Sequence, residues 1–158
     1  MSEITIVAPG DGDAVLTGPA TVRIIEDGSA TDHRLGIGII TLAPHAEGPP
    51  QHWHEQHDEG FYVLSGTATF SAGEATHEVP AGGFVMVPPK AVHTFANHTD
   101  QTVEILNTFT PDLYVQYFRD ARDMMASGTQ ITPQSLLGVM ANYHTYPAAP
   151  APASKAGG

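Results

Sequence analysis

The chain of 158 residues is 41% hydrophobic, enough for one ordinary domain with its own core. Six Lys and Arg stand against seventeen Asp and Glu, and the formal charge of −11 repels phosphate backbones and anionic bilayers, so neither nucleic acid nor a membrane is an expected partner. There is no cysteine, so any transition-metal site must be built from imidazole and carboxylate.

The opening residues MSEITIVAPGDGD carry acids where a signal peptide carries basic groups, and no apolar run approaches the ~18 residues of a membrane span. A soluble cytoplasmic protein is expected. From Glu3 to about Phe109 short alternating runs follow one another, separated by Gly, Pro and Asp clusters: EITIV, ATVRIIE, LGIGIITLA, GFYVLSG, TATFSAG, EATHEVPAG, GFVMVPP, VHTFANH and TVEILNTF. Many short strands without helical period between them predict an all-β sandwich, jelly roll or barrel.

Between the third and fourth runs lies HWHEQHDE, three histidines and three carboxylates in eight residues. His52 and His54 are two apart, so on a strand both rings share a face, with Trp53 on the other. Glu59, Phe61 and Val63 share a face of the next strand, and His93, Phe95 and Asn97 do so further on. Two histidines, a carboxylate on the adjoining strand and a histidine from a third strand can converge on one ion. His57 is expected at the mouth of such a site or behind its ligands. His33, His45, His77, His98 and His144 have no partner pattern and are expected at the surface.

After Thr110 the pattern turns helical. Thr110 as N-cap and Pro111 at the first position predict a helix ending near Gly128, with Leu113, Tyr117, Phe118, Met124 and Met125 close to one face. A second helix is expected from Thr132 and Pro133 to Tyr143, with Leu136, Leu137 and Met140 as its apolar stripe. Both are read as a brace on the sheet. The tail, residues 146–158, is rich in Pro, Ala and Gly, lacks periodicity and is expected to be disordered.

The spacing His52-x-His54-x4-Glu59-x6-Gly66, followed by Gly82-x5-Pro88-x4-His93-x3-Asn97, resembles the two conserved motifs of the cupin superfamily, at 46–66 and 82–97. The resemblance implies a double-stranded β-helix jelly roll at 1–145, with one or two C-terminal helices at 111–143. It also implies a metal site of His52, His54, Glu59 and His93 holding one divalent transition metal, whether Fe, Ni, Mn, Co, Cu or Zn. Two positions depart from the pattern: Ala46 replaces a glycine, with Gly48 nearby, and Lys90 replaces the glycine of Pro-x-Gly.

Three histidines and one carboxylate leave a position open for a ligand, and Phe61, Val63 and Phe95, with His57, would line the substrate pocket. Such walls suit a small aromatic substrate better than a sugar or phosphate. The motif pair followed by TPDLYVQYFRDARDMM resembles the single-domain quercetin dioxygenase-like proteins. That likeness implies O2 as co-substrate and a catalytic Glu59 that is both ligand and base toward a substrate hydroxyl. The rival readings are a metal-dependent cyclase or isomerase, as in aromatic polyketide biosynthesis, and a cupin that binds a small molecule without turnover. A homodimer is expected, formed through sheet edges and the runs EITIV and ATVRII.

Overall fold

A computed structural model describes residues 3–17, 20–128 and 132–149. In chain order the strands are β1 (Asp13–Thr17), β2 (Ala20–Asp27), β3 (Gly36–Leu42), β4 (His52–His54), β5 (Asp58–Ser65), β6 (Thr67–Ala72), β7 (Ala75–Pro80), β8 (Phe84–Val87), β9 (Thr94–Ala96) and β10 (Val103–Thr110). Helices α1 (Val115–Ala126) and α2 (Pro133–Ala141) and strand β11 (Thr145–Pro147) follow. Six strands form one antiparallel sheet in the order β1-β2-β3-β10-β5-β8. The other layer combines β7-β6-β9 with the pair β11-β4. These two pieces are joined by the bridge between His52 and His93, with N–H···O distances of 3.0 and 2.9 Å.

Period-two alternation makes the layers. In β10 the side chains of Val103, Ile105, Asn107 and Phe109 are buried, and in β5 those of Glu59, Phe61 and Val63 are, while Tyr62 and Leu64 face out. Phe61 meets Phe70 and Phe95 of the opposite layer at ring distances of 5.3 and 5.5 Å. Val22, Ile40, Leu42 and Ile105 extend the same core, each contributing about 1.5–3 kcal/mol through burial. This two-sheet jelly roll with two C-terminal helices is the architecture expected from the sequence.

The two ends of the chain differ from expectation. EITIV forms no strand: Ile4 and Ile6 are 86% and 81% exposed. The place beside β2 belongs to β1, which pairs with it as a local hairpin from Thr17↔Ala20 to Asp13↔Ile24, a closure that costs little loop entropy. The first helix begins at Val115, because Thr110 is still the last rung of β10, opposite Asp58. Its buried residues are Val115, Phe118 and Ala121. The second helix has the expected start, with the Thr132 hydroxyl accepting from the Ser135 amide in a capping box. It ends at Ala141 and buries Val139 and Met140 more fully than Leu136 and Leu137. The expected disordered tail is ordered at its beginning: Tyr146 and Pro147 pair with β4, and the Ala148 amide reaches the Gln51 carbonyl at 2.8 Å. Residues 150–158 lie outside the described residues.

Helix α1 is clamped to the first hairpin by its arginines. Arg119 reaches Asp13 at 3.0 Å and Asp27 at 2.9 Å, and Arg122 reaches Asp13 at 3.0 Å. Among the described residues no helix is long and apolar enough to cross a membrane.

Candidate metal centre

β4 presents His52 and His54 on its inner face, β5 presents Glu59 near its start, and His93 enters just before β9 through its backbone bridge to His52. All four side chains are buried, and one potential ligand atom from each lies within 4.8 Å of the others. An ion with bonds of about 2.0–2.2 Å holds its ligand atoms at comparable separations. Trp53 turns away and packs on Tyr146 of β11 at 4.9 Å.

Each histidine is held by its far nitrogen. His52 Nδ1 donates to the Pro50 carbonyl at 2.9 Å and His93 Nδ1 to the Ala91 carbonyl at 3.2 Å. His54 Nδ1 lies 2.7 Å from the Thr145 hydroxyl, which itself donates to the Tyr143 carbonyl at 3.2 Å and so must accept from His54. With every Nδ1 carrying a proton, each ring in its neutral form presents an Nε2 lone pair to the centre. Yet His54 Nε2 and His93 Nε2 stand 2.9 and 3.0 Å from Glu59 Oε2, itself an acceptor. Acceptor faces acceptor in a space closed to bulk water, an arrangement that a shared cation satisfies. The donor set therefore fits a divalent transition metal.

Electrostatics agree. Burial acts to raise the Glu59 carboxyl, but the positive charge and donated hydrogen bonds that His54 and His93 supply when a proton sits on Nε2 hold it well below the usual carboxylate range, so the pocket favours positive charge beside this carboxylate, whether from a proton or from a metal ion. Burial, then the neighbouring His93 and His54 rings, lowers His52 to about 4, so it is neutral near pH 7 and free to ligate.

The remaining predicted residues divide. Phe61 lies 6.0 Å from the His93 ring and forms a wall of the centre, while Val63 sits one pleat deeper, wholly in the core. Phe95 is half-buried against Phe61 and Phe70. Asn97 is a backbone clamp, its amide nitrogen donating to the carbonyls of Ala43 and Gln101 at 2.9 and 2.7 Å. His57 is not at a mouth: it is 1% exposed, 4.1 Å from the His54 ring, and burial followed by the His54 field lowers it to about 4. His33, His45, His77 and His98 are exposed as expected, and His144 is partly so.

The two departures from the motif have different consequences. Gly48 is needed where it stands, since a Cβ there would lie 1.9 Å from the Phe95 carbonyl oxygen. Lys90 keeps a left-handed backbone, φ 72°, at a cost of about 1 kcal/mol, while its amide donates to the His54 carbonyl at 2.7 Å and so seats β4. Thr145 and Tyr114 escaped the sequence reading. The Tyr114 ring packs 4.8 Å from His54 and stacks on the Tyr117 ring at 4.6 Å.

Beside the centre a cleft of about 450 Å³ opens between β6–β7 and β8, lined by Phe70, Val79, Val85, Val87 and Ala91 with His93. Among the described residues no Lys or Arg lines it.

Residues 38–109 match the cupin domain family. It is 29% identical over 118 residues to quercetin 2,3-dioxygenase of Bacillus subtilis (strain 168), a likeness covering 75% of this chain. The alignment takes in 34% of that enzyme, so the chain spans about a third of the relative's length. Among solved structures it superposes on the polyketide cyclase RemF of Streptomyces resistomycificus with a TM-score of 0.61 at 23% identity, over 68% of this chain and 80% of that one. It also superposes on a cupin sugar phosphate isomerase of Silicibacter pomeroyi with a TM-score of 0.60 at 18% identity, over 67% and 75% of the two chains. At these identities the structural matches establish the fold.

Proposed function

We propose that the protein is a metal-dependent dioxygenase of the quercetinase kind, acting on a flavonol or another small aromatic or enolic compound. The observation that carries this reading is the inward set of three Nε2 lone pairs and one carboxylate beside an apolar cleft without cations. The likeness to a quercetin 2,3-dioxygenase supports the oxidative chemistry. His52, His54, Glu59 and His93 would hold one divalent transition metal. When bound, that ion would supply Lewis acidity that eases loss of a substrate hydroxyl proton, and the electrons that reduce O2 would come from the resulting substrate anion. Glu59 turns Oε2 to both histidines and leaves Oε1 to take that proton. Phe61, Val85 and Val87 exclude water around a flat ring.

Metal analysis followed by an oxygen-electrode screen against quercetin and other enolic or catecholic compounds tests the reading. Stoichiometric oxygen uptake with substrate loss is expected. Substrate conversion without oxygen uptake overturns the dioxygenase assignment in favour of a cyclase or isomerase. The Glu59→Gln variant, reconstituted to equal metal content, is expected to lose on the order of 10²-fold in turnover, since the amide keeps the shape but takes no proton.

We further propose a homodimer. The outer face of β5 and β8 leaves Tyr62, Leu64, Phe84 and Met86 between 42% and 56% exposed, a patch free of charge in a chain of net charge −11. A second copy approaches without repulsion over such a face. The exposed Ile4 and Ile6 offer further apolar cover. Sedimentation at micromolar concentration should give twice 16.7 kDa, and a clean monomer mass overturns the proposal.

A further inference from the structure

Three tyrosines line up outward from one histidine of the metal centre. The Tyr114 ring stands edge-on to His54 at 4.8 Å, Tyr117 stacks on Tyr114 at 4.6 Å with the planes 13° apart, and Tyr143 meets Tyr117 at 6.5 Å. Tyr114 is buried and the other two are half-buried, so the line leads from the core toward solvent. It ends on a proton acceptor. The Tyr143 hydroxyl donates to Asp120 Oδ2, and the Gln116 amide holds Asp120 Oδ1 at 3.1 Å.

Packing alone does not ask for phenols along this line. Phe109 and Phe118 pack on Tyr114 at 6.0 and 5.6 Å, so the core accepts a plain phenyl ring at this depth. A hydroxyl brings a polar group whose burial is costly. What it adds to the ring is easy one-electron oxidation, and rings in contact pass an electron readily from one to the next. Loss of an electron also makes a phenol a strong acid. A positive charge does not rest on Tyr114, which lies in the core, where an unpaired charge is costly. Tyr143 differs, because its proton has a carboxylate to go to along a hydrogen bond already in place.

We propose that Tyr114, Tyr117 and Tyr143 form an electron relay to the metal centre, with Tyr143 as the terminal donor and Asp120 as the acceptor of its proton. The proposal rests on the metal-centre reading above and goes beyond the dioxygenase reaction. It serves when a peroxide reaches the centre in place of substrate. The O–O bond of the peroxide then breaks on taking up two electrons, one from an oxidisable divalent ion such as iron and one from Tyr143 by way of Tyr117 and Tyr114. With hydrogen peroxide two hydroxide ions leave, and the phenolic proton passes to Asp120. A neutral phenoxyl radical remains on Tyr143, half-buried and within reach of a reductant, and the His54 ring is spared oxidation.

The test uses the full chain loaded with iron(II) under argon, mixed with hydrogen peroxide and freeze-quenched for electron paramagnetic resonance. Iron per chain and Tm are measured on every sample. The wild type should give a phenoxyl signal that narrows when ring-deuterated tyrosine is supplied during growth. Tyr117→Phe keeps the ring and should keep iron and Tm, yet lose most of the signal and show more oxidised His54 by peptide mass spectrometry. Tyr143→Phe serves in the same way if the first variant loses iron. Asp120→Asn, which takes no proton, should also lose most of the signal. Trp53→Phe should leave it unchanged. An iron-loaded wild type without a phenoxyl radical overturns the proposal, and so does a full signal in the tyrosine variant or in Asp120→Asn. A signal that disappears with Trp53 assigns the electron to that ring and overturns it too. A chain that takes up another divalent transition metal but no iron overturns this proposal alone, and one that takes up none overturns the parent reading with it.

Discussion

Around Arg119 each donor meets an acceptor, whereas around Glu59 acceptors meet acceptors. The arginine clamp joins α1 to β1 and β2 with guanidinium-to-carboxylate distances of 2.9–3.0 Å, on side chains that are roughly a quarter to two-fifths exposed. It is complete within the chain, and its net value is modest because water competes for every member. The histidine cluster is buried, its rings are oriented by outer hydrogen bonds, and its inner lone pairs converge on one carboxylate oxygen. A cluster built for stability alone would pair its charges inside the chain, as the clamp does. One left short of a cation is built for something from outside.

The largest break in this comparison comes from removing a convergent donor. His93→Ala should reduce metal content from about one ion per chain to near none while the circular dichroism of the fold persists, since one buried ring is lost and the ladder bond between the His52 and His93 backbones is kept. Full metal retention in this variant would refute the donor set. A smaller effect should follow at Thr145, which touches only the far side of His54. Thr145→Val keeps the shape of the side chain but cannot accept from Nδ1, and the metal dissociation constant should rise about 10–100-fold in chelator competition, with Thr145→Ser restoring it.

The site residues on adjacent strands were legible because strand parity is a local property. His52 and His54 two apart, and Glu59 in phase with Phe61, declare a common face before any tertiary contact is known. What stayed hidden depends on chain segments meeting from afar. Thr145 lies 91 residues from His54, and nothing in TYP marks a strand that returns to pair with HWH. His57 was expected at the mouth or behind the ligands and packs behind His54; the choice stayed open because the turn between β4 and β5 breaks the alternation, so parity could not say that Tyr114 and Phe109 would close over it. EITIV misled in the opposite direction, since β-branched residues announce a strand only where an edge is available, and β1 already held the edge beside β2.

The clamp should respond to mutation without touching the metal. Arg119→Ala removes two ion pairs of partly exposed groups and should cost about 1 kcal/mol, a fall in Tm of about 2–4 °C, with metal per chain unchanged. Loss of metal in this variant would mean that the position of α1, and of Tyr114 at its start, is transmitted to His54. The independence of the two clusters would then be refuted.

The smallest effect is the pH dependence of the same clamp. Hydrogen bonds from Ser29, followed by that from Arg119, lower the Asp27 carboxyl from the usual 3.8 to about 2. Because the folded state holds this proton less tightly than the unfolded one, the stabilisation is fully present above about pH 4 and is lost as pH falls toward 2. Asp27→Asn never has it. The Tm of the wild type should therefore exceed that of Asp27→Asn near pH 6 by a margin equivalent to on the order of 1 kcal/mol, reduced by screening at this partly exposed position, and the two melting curves should converge between pH 4 and 2. Added salt should narrow the gap near pH 6 in the same sense. A margin that survives unchanged at pH 2 would show that Asp27 acts through its hydrogen-bonding shape and not its charge, and the clamp would lose its status as the charge-paired counterpart of the metal centre.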